Sequence, residues 1–178
     1  MKMFSTITVL ALTSLVFILH ATKGEGPTLG AEAGNTKDLP AVDRQEILDL
    51  ISRYSYTWDG KNAEGWTALY LDNATHASYS GGEFTRASQS NKERLAYARE
   101  RHQSFTKQGI QTRHYQTNPV LERAPDGTVQ GETMFSVIWQ YAGEPAPKLA
   151  HSGIYRDVFV KTASGWKFGR REVHVDHK

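Results

Sequence analysis

The stretch LAHSGIYRDVFVKTASGWKFGRREVHV, residues 149–175, decides the fold class of this chain. Two runs rich in β-branched and aromatic residues, Leu149–Lys161 and Trp166–Val175, flank the turn residues Thr162-Ala-Ser-Gly165, and this pattern predicts an antiparallel hairpin. Side chains alternate across a strand, so every second residue of the first run lies on one face. The residues of that face are His151, Gly153, Tyr155, Asp157 and Phe159.

Two runs of the same strand character precede this hairpin. They are Arg113–Glu122 and Thr128–Tyr141, and the turn sequence Ala124-Pro-Asp-Gly127 joins them. The loop Gly143-Glu-Pro-Ala-Pro147 then leads into the hairpin. The second half of the domain is therefore predicted to contain four antiparallel strands.

The first half of the domain has helical periodicity instead. Val42–Trp58 carries an apolar stripe at helical spacing, and Asp43 with Glu46 three residues later resembles a capping box. Gly60 is the expected C-cap. Further helices are predicted at Ala63–Leu71 and at Asn91–Lys107, with a short strand at Thr75–Ser80 between them.

This order of elements predicts an α+β fold in which three N-terminal helices pack on a strongly bent antiparallel sheet. A bent sheet covered by helices encloses a cone-shaped pocket of a size that holds one small apolar ligand.

The first 23 residues have the composition of a secretory signal peptide. Lys2 supplies the initial positive charge, and the apolar run Ile7–Leu19 is shorter than the roughly 20 residues of a membrane span. Residues 24–40 predict a flexible linker, and residues 41–178 the folded domain. The protein is thus expected to be secreted or periplasmic, with membrane contact only through the signal segment. An uncleaved anchor is the alternative.

Composition excludes several classes of site. The 178-residue chain has no cysteine, so disulfides, zinc–thiolate sites and cysteine nucleophiles are absent. Lys2 and Lys23 lie in the leader, and removing them leaves 19 of the 21 basic residues against 19 acidic ones. Nucleic-acid binding is not expected, because it usually requires a basic surface.

Three polar residues, Asp59, His114 and His151, are predicted to meet inside the cone. His114 shares one face of its strand with Asn118, His151 lies on the strand face described above, and Asp59 ends the first helix. A histidine held by a carboxylate is a natural general base. The alternative is that each strand histidine is a surface residue or a hydrogen-bonded core residue. His76 and His102 are predicted to be surface residues.

Three sequence motifs resemble one family. The end of the first helix is Tyr56-Thr-Trp-Asp-Gly-Lys61, the next motif is Thr112-Arg-His-Tyr-Gln-Thr-Asn118, and the last pairs His151-Ser-Gly153 with Gly165-Trp-Lys-Phe168. Together they resemble the scytalone dehydratase/SnoaL-like family of the nuclear-transport-factor-two-like superfamily, which has a cystatin-like α+β cone. The resemblance spans residues 42–176.

The resemblance implies specific roles. Asp59 would orient a catalytic His151, His114 would be a second pocket histidine, and Tyr79 would hold the substrate carbonyl or a water. Trp58 stands where scytalone dehydratase has a second tyrosine, and an indole N–H donates a hydrogen bond but does not titrate usefully. Substrate contacts are expected from Tyr56, Trp58, Asn118, Phe135, Gly153 and Tyr155.

The implied function is a lyase or isomerase, a dehydratase in particular, that needs no cofactor. It would abstract a proton next to a carbonyl of a small hydrophobic or aromatic, polyketide-like substrate. A homo-oligomer, dimer or trimer, is also implied. The alternatives are a non-catalytic binding module and an assembly domain of the same fold. His174-Val-Asp-His177 resembles a metal chelate, but no third ligand is evident and no metal is expected.

Overall fold

The structure is a computed structural model that describes residues 39–176. The predicted signal peptide, nearly all of the predicted linker, and His177 lie outside these residues. The described part contains three helices and six strands. In chain order they are α1 Ala41–Asp59, α2 Ala63–Thr67, β1 Tyr70–Ser80, β2 Glu83–Ser88, α3 Asn91–Lys107, β3 Ile110–Arg123, β4 Val129–Tyr141, β5 Lys148–Thr162 and β6 Gly165–Val175.

The six strands form one open sheet in the order β2-β1-β6-β5-β4-β3. The four C-terminal strands are antiparallel neighbours, as predicted, but β1 pairs with β6 in parallel, so the sheet is mixed. This pairing joins strands about 100 residues apart, and alternation within a strand does not reveal which neighbour it will take.

The β1–β2 hairpin differs from the sequence-based prediction. The second helix ends at Thr67 rather than Leu71, and β1 already begins at Tyr70. Strand β2 was not predicted. It follows a two-residue turn, Gly81-Gly82, in which both glycines have positive φ, as expected for a tight hairpin turn.

Helix α1 begins differently from the predicted capping box. Its N-cap is Pro40, and no side chain caps the first turn. The Asp43 carboxylate is buried and accepts hydrogen bonds from Lys161 Nζ at 2.5 Å and Trp166 Nε1 at 3.1 Å. The Lys161 hydrogen bond is the main reason why the pKa of Asp43 is lowered. Asp43 therefore ties the start of α1 to the β5–β6 hairpin.

The inner face of the sheet and the helices enclose an aromatic core. Every second residue of β4 and β5 is buried along the centre of each strand. Trp66 of α2 is fully buried and contacts Tyr54 and Trp58 of α1, with ring centroids 5.9 Å and 4.9 Å away. None of the described helices is long and apolar enough to cross a membrane.

Candidate active site

Asp59 is the last residue of α1 and lies directly over the edge strand β3. It is only 8% exposed, and its carboxylate accepts three hydrogen bonds. Thr112 Oγ1 donates to Oδ1 at 2.7 Å, the His114 main-chain N–H donates to Oδ2 at 2.8 Å, and His114 Nδ1 lies 2.7 Å from Oδ1. The carboxylate thus satisfies a free N–H of the sheet edge and holds the imidazole at the same time.

The local chain geometry explains this position. Gly60 is the C-cap of α1, and Lys61 takes a left-handed conformation with φ 58° that turns the chain away. Gln111 Nε2 donates to the Asp59 carbonyl at 2.8 Å, which ties the helix end to β3. The acid is therefore held by the backbone of two elements rather than by a mobile loop.

The Asp59 bond determines which nitrogen of His114 is available for chemistry. A carboxylate only accepts, so Nδ1 carries the proton and Nε2 is left as an acceptor. Tyr54 and Trp58 contact the His114 ring edge-on, with centroids 6.3 Å and 6.4 Å away. A neutral imidazole held in one tautomer by a carboxylate can accept a proton and is then stabilised as the imidazolium.

A cleft of about 530 Å³ opens at this pair. The side chains of Tyr56 and Tyr115 stand on its rim and are exposed. Its lining residues are Ser55, Tyr56, Asp59, Gly60, Gln111, Arg113, His114 and Tyr115. The size is that of a site for one small molecule.

His151 lies on the same face of the sheet as His114, but Asp59 does not hold it. Val137 of β4 pairs with His114 on one side and with His151 on the other. Neighbouring strands lie about 4.8 Å apart, so the backbones of the two histidines are separated by twice that spacing. His151 is exposed and packs edge-on against Trp139, 5.5 Å away. The expected Asp59–His151 pairing is corrected to Asp59–His114, because α1 ends over β3 and not over β5.

The pKa of His151 is lowered from its ordinary value. The main cause is that the surrounding protein displaces water from the ring, and the positive charge of Arg101, and of His114 when it is protonated, acts in the same direction. The lowered pKa favours the neutral form of His151, in which one ring nitrogen is a donor and the other an acceptor.

The structure does not bring Tyr79 to these residues. Tyr79 pairs with His174 of the parallel strand β6, and their rings stack at 4.6 Å on the outer face of the sheet. The preceding residue, Ser78, points inward instead and pairs with Val173. The matching tyrosine position is therefore on the wrong face for the expected contact with a substrate carbonyl.

The expected substrate-binding residues divide into two groups. Trp58, Phe135 and Tyr155 are buried on the inner side, where the last two stack at 4.2 Å. Asn118 is exposed at φ 54°, in an irregularity of the β3–β4 pairing, and does not reach the cleft. The irregularity breaks the strand alternation on which its predicted position depended.

Gly153 of β5 lies so close to β6 that a larger residue would not fit. A Cβ added there would lie 1.9 Å from the His174 carbonyl oxygen and 3.0 Å from Phe135 Cε1. This glycine therefore permits a close approach between β5 and β6 rather than a contact with a substrate.

A buried ion pair beside the site was missed in the sequence. Asp157 accepts from Arg171 Nε at 2.8 Å and from Nη2 at 2.7 Å, and both side chains are 0% exposed. Burial opposes the charge of Arg171, but the Asp157 carboxylate outweighs it and keeps the pKa above its ordinary value. The guanidinium lies against the rings of Tyr54, Tyr155 and Phe168 at 4.1–4.3 Å. Alternation placed Asp157 inside, but only the β5–β6 register identifies its partner.

Two further histidines lie inside the domain, contrary to their predicted surface position. His76 is 3% exposed and His102 is 5% exposed. Both pKa values are lowered, chiefly by burial. Each histidine packs against a tryptophan, His76 against Trp66 and His102 against Trp58, because α2 and α3 cover this end of the sheet. Among residues 39–176 no group of side chains is arranged to hold a metal ion.

Comparisons with known proteins agree on the fold. A family model described as a SnoaL-like domain matches residues 40–172. Curated protein sequences give no significant match. Many solved structures resemble the chain, and three of them are described below. ActVI-ORFA from Streptomyces coelicolor has 24% identity, a TM-score of 0.67, and coverage of 76% of this chain and 98% of its own.

The other two structures come from Novosphingobium aromaticivorans. One is a proposed scytalone dehydratase, with 21% identity, a TM-score of 0.64, and coverage of 78% of this chain and 87% of its own. The second is the beta subunit of a proposed aromatic-ring-hydroxylating dioxygenase, with 19% identity, a TM-score of 0.65, and coverage of 77% and 91%. At these identities the likeness shows a shared fold.

Proposed function

Because the chain belongs to the SnoaL-like domain family, we propose that it is a cofactor-independent dehydratase or isomerase that removes a proton next to a carbonyl group. The substrate would be a small hydrophobic or aromatic molecule of polyketide-like character. The observation that carries the proposal is the buried contact of 2.7 Å between Asp59 Oδ1 and His114 Nδ1.

In the proposed reaction His114 is the base. Its Nε2 takes the proton from the carbon next to the carbonyl, and Asp59 stabilises the imidazolium that forms. His151, whose lowered pKa favours the neutral form, donates a hydrogen bond to the carbonyl oxygen, where negative charge develops. This assigns to His151 the role that the family resemblance implied for Tyr79.

The proton then leaves His114 by one of two routes. Transfer to a β-hydroxyl releases water and leaves a carbon–carbon double bond, which is dehydration. Transfer to a different carbon of the same molecule moves the double bond, which is isomerisation. Both routes return His114 to its neutral form and require no redox partner.

The cleft supports the proposed substrate class. Its volume of about 530 Å³ accommodates one small molecule. Tyr56 and Tyr115 present exposed rings at its rim, and Trp58 packs behind His114. Flat apolar molecules bind well to such surfaces, because aromatic rings stack over a large area.

The test measures proton abstraction directly. The protein is incubated in D₂O with a panel of aromatic β-hydroxy ketones, and NMR follows deuterium incorporation next to the carbonyl and loss of the hydroxyl. Asp59→Asn and His114→Gln are expected to slow the exchange by roughly 10²–10⁴-fold. Asp49→Asn is the matched control, because this exposed carboxylate lies on the same helix and bonds only Gln45 among the described contacts. Exchange that persists at the wild-type rate in both site variants would show that the pair is not the base.

We also propose that the protein forms a homo-oligomer through the outer face of its sheet. Phe84 and Met134 on this face are 61% and 53% exposed, and large exposed apolar side chains often mark an interface. Light scattering should give a dimer or trimer, and Met134→Lys should shift it towards monomer. A wild-type monomer at micromolar concentration would contradict this proposal.

Export remains a proposal as well. The predicted signal peptide at residues 1–23 should be cleaved in an exporting host, which N-terminal sequencing of the secreted or periplasmic protein will show. Recovery of the intact N-terminus at the membrane would favour the uncleaved anchor.

A further inference from the structure

Ser55 lines the cleft, and the proposed reaction does not use its hydroxyl group. It stands on α1 one turn before Asp59, and the cleft of about 530 Å³ contains both residues together with His114. Residues four apart on a helix are neighbours on one face, so Ser55 lies beside the Asp59–His114 pair. The Ser55 side chain is half-buried, and the groups that surround it determine where its O–H can donate.

Gln116 of β3 holds the Ser55 oxygen. Gln116 Nε2 donates to Ser55 Oγ at 2.7 Å and to the Ile51 main-chain carbonyl at 2.8 Å, which uses both hydrogens of the amide. At the other end of the amide, Gln116 Oε1 accepts from Arg171 Nη2 at 3.3 Å. Because a guanidinium only donates and a carbonyl only accepts, these two neighbours fix which end of the amide is oxygen and which is nitrogen.

Arg171 keeps the amide in this orientation. Its side chain is 0% exposed, its ion pair with Asp157 positions it, and three aromatic rings lie against it. An amide turned by half a revolution would place its NH₂ group against the buried cation and its oxygen against the Ile51 carbonyl, and both contacts would be repulsive. Ser55 Oγ is therefore the acceptor in its hydrogen bond with Gln116.

The hydroxyl hydrogen of Ser55 is left to donate into the cleft. Ser52 and Thr57 of the same helix donate to main-chain carbonyls of the preceding turn, at 2.9 Å and 2.7 Å. Within residues 39–176, Ser55 makes no such bond to its own helix. A serine hydroxyl donates one hydrogen bond in addition to those that it accepts, so a ligand in the cleft can receive it.

We propose that Ser55 is a substrate-binding residue, which donates a hydrogen bond to an oxygen of the substrate other than the reacting carbonyl oxygen. The two oxygens are separate because His151, the proposed donor to the carbonyl, lies on β5, two strands from β3, whereas Ser55 is bonded to β3 itself. The substrate class narrows to an aromatic ketone with a second oxygen substituent. This inference rests on the proposed function, since it places the ligand in the same cleft.

The hydrogen bonds that lead to Ser55 all point in the same direction. Arg171 donates to Gln116, and Gln116 donates to Ser55, so the series starts at a full positive charge and ends at the cleft. Hydrogen bonds in such a series polarise one another, which makes the Ser55 O–H a stronger donor. A carboxylate in place of the Gln116 amide would only accept, and the Ser55 hydroxyl would then turn towards it instead of the ligand.

The experiment compares ligands that differ in the second oxygen alone. Calorimetry and tryptophan fluorescence measure the binding of the positional isomers of methoxyacetophenone to the full chain, each against the ethylacetophenone with the same substitution pattern. A methoxy oxygen accepts a hydrogen bond, whereas the CH₂ group in its place does not, and the two molecules have nearly the same shape. The methoxy-to-ethyl affinity ratio is compared between variants, because this comparison cancels the different hydration of the two ligands.

Ser55→Ala is expected to lower this ratio about fivefold for at least one isomer, which is the effect of one neutral hydrogen bond. Gln116→Glu should lower it by a similar factor although Ser55 is intact, because the hydroxyl then donates to the new carboxylate. Ser52→Ala is the matched control. Ser52 is exposed on the same helix and donates to the Leu48 carbonyl, so its loss should leave the ratio at the wild-type value.

The inference is overturned if Ser55→Ala leaves the ratio unchanged for every isomer, if Gln116→Glu does so, or if the wild type binds none of these ketones. Binding is measured without turnover, so the outcome is independent of the deuterium-exchange test. If exchange is absent but Ser55→Ala and Gln116→Glu lower the ratio, the protein is a binder in which Ser55 contacts the ligand oxygen. If exchange requires His114 but the ratio never changes, the proposed reaction stands without this contact.

Discussion

The buried pair Asp157–Arg171 offers the sharpest test of the structure. Both side chains are 0% exposed, and two hydrogen bonds of 2.7 Å and 2.8 Å join them. Asp157→Asn keeps the shape of the side chain but leaves the Arg171 charge enclosed by three aromatic rings. A buried charge without its partner costs about 3–5 kcal/mol of unfolding free energy. At about 3 °C per kcal/mol for a domain of this size, the melting temperature should fall by about 9–15 °C.

The assay is urea denaturation followed by circular dichroism, with calorimetry for the melting temperature. Glu132→Gln is the matched control, since it breaks the exposed Arg156–Glu132 pair one register position away. An exposed pair contributes about 0–1 kcal/mol. The difference between the two losses therefore shows how much more the buried, doubly bonded pair contributes than the exposed one.

A double variant distinguishes loss of the pair from loss of packing. Asp157→Asn combined with Arg171→Met removes both charges, so the double variant no longer encloses an unpaired charge. The double variant should therefore be more stable than Asp157→Asn alone. A loss below about 1 kcal/mol for Asp157→Asn would refute the buried ion pair, and so would a double variant that is less stable than the single one.

Stability should also depend on pH through the buried histidines. The pKa values of His76 and His102 are lowered in the folded state, so the unfolded chain binds more protons, and stability is lost as pH falls below about 6.5. Urea midpoints at pH 7.5 and pH 5.5 should differ less in His76→Gln than in the wild type, and an identical difference would contradict this. Gly153→Ala should cost about 1–3 kcal/mol, because the new methyl group meets the rigid His174 carbonyl. Gly169→Ala should cost less, since its nearest neighbour is a side-chain methyl group of Val160, and equal melting temperatures for the two variants would disprove the argument.

The local patterns of the chain predicted most elements well. Helix α3 begins and ends at the predicted residues, and the predicted C-terminal strands differ from the observed ones by three residues or fewer at each end. The turn Ala124-Pro-Asp-Gly127 formed as expected, with Asp126 accepting from the Thr128 main chain and hydroxyl. These features depend on contacts within a few residues, which a sequence pattern records.

The errors occurred where the outcome depends on distant strands. Tyr79 faces outward because the register of β1 places it opposite His174 on the outer face. Asn118 lies away from the site because an irregularity interrupts the alternation of β3. The histidine held by the carboxylate is His114 and not His151, because Asp59 lies over β3 and does not reach β5. No pattern of neighbouring residues contains this information.

The sequence by itself determined the α+β class and the face of β5 that carries Gly153, Tyr155, Asp157 and Phe159. Only the tertiary structure decided that Asp59 holds His114, that Asp157 meets Arg171, and that His76 is buried. The physical reason is the range of the forces involved. Periodicity follows from backbone geometry within one element, whereas hydrogen bonds and ion pairs between elements act over about 3 Å and exist only once the register brings the atoms together.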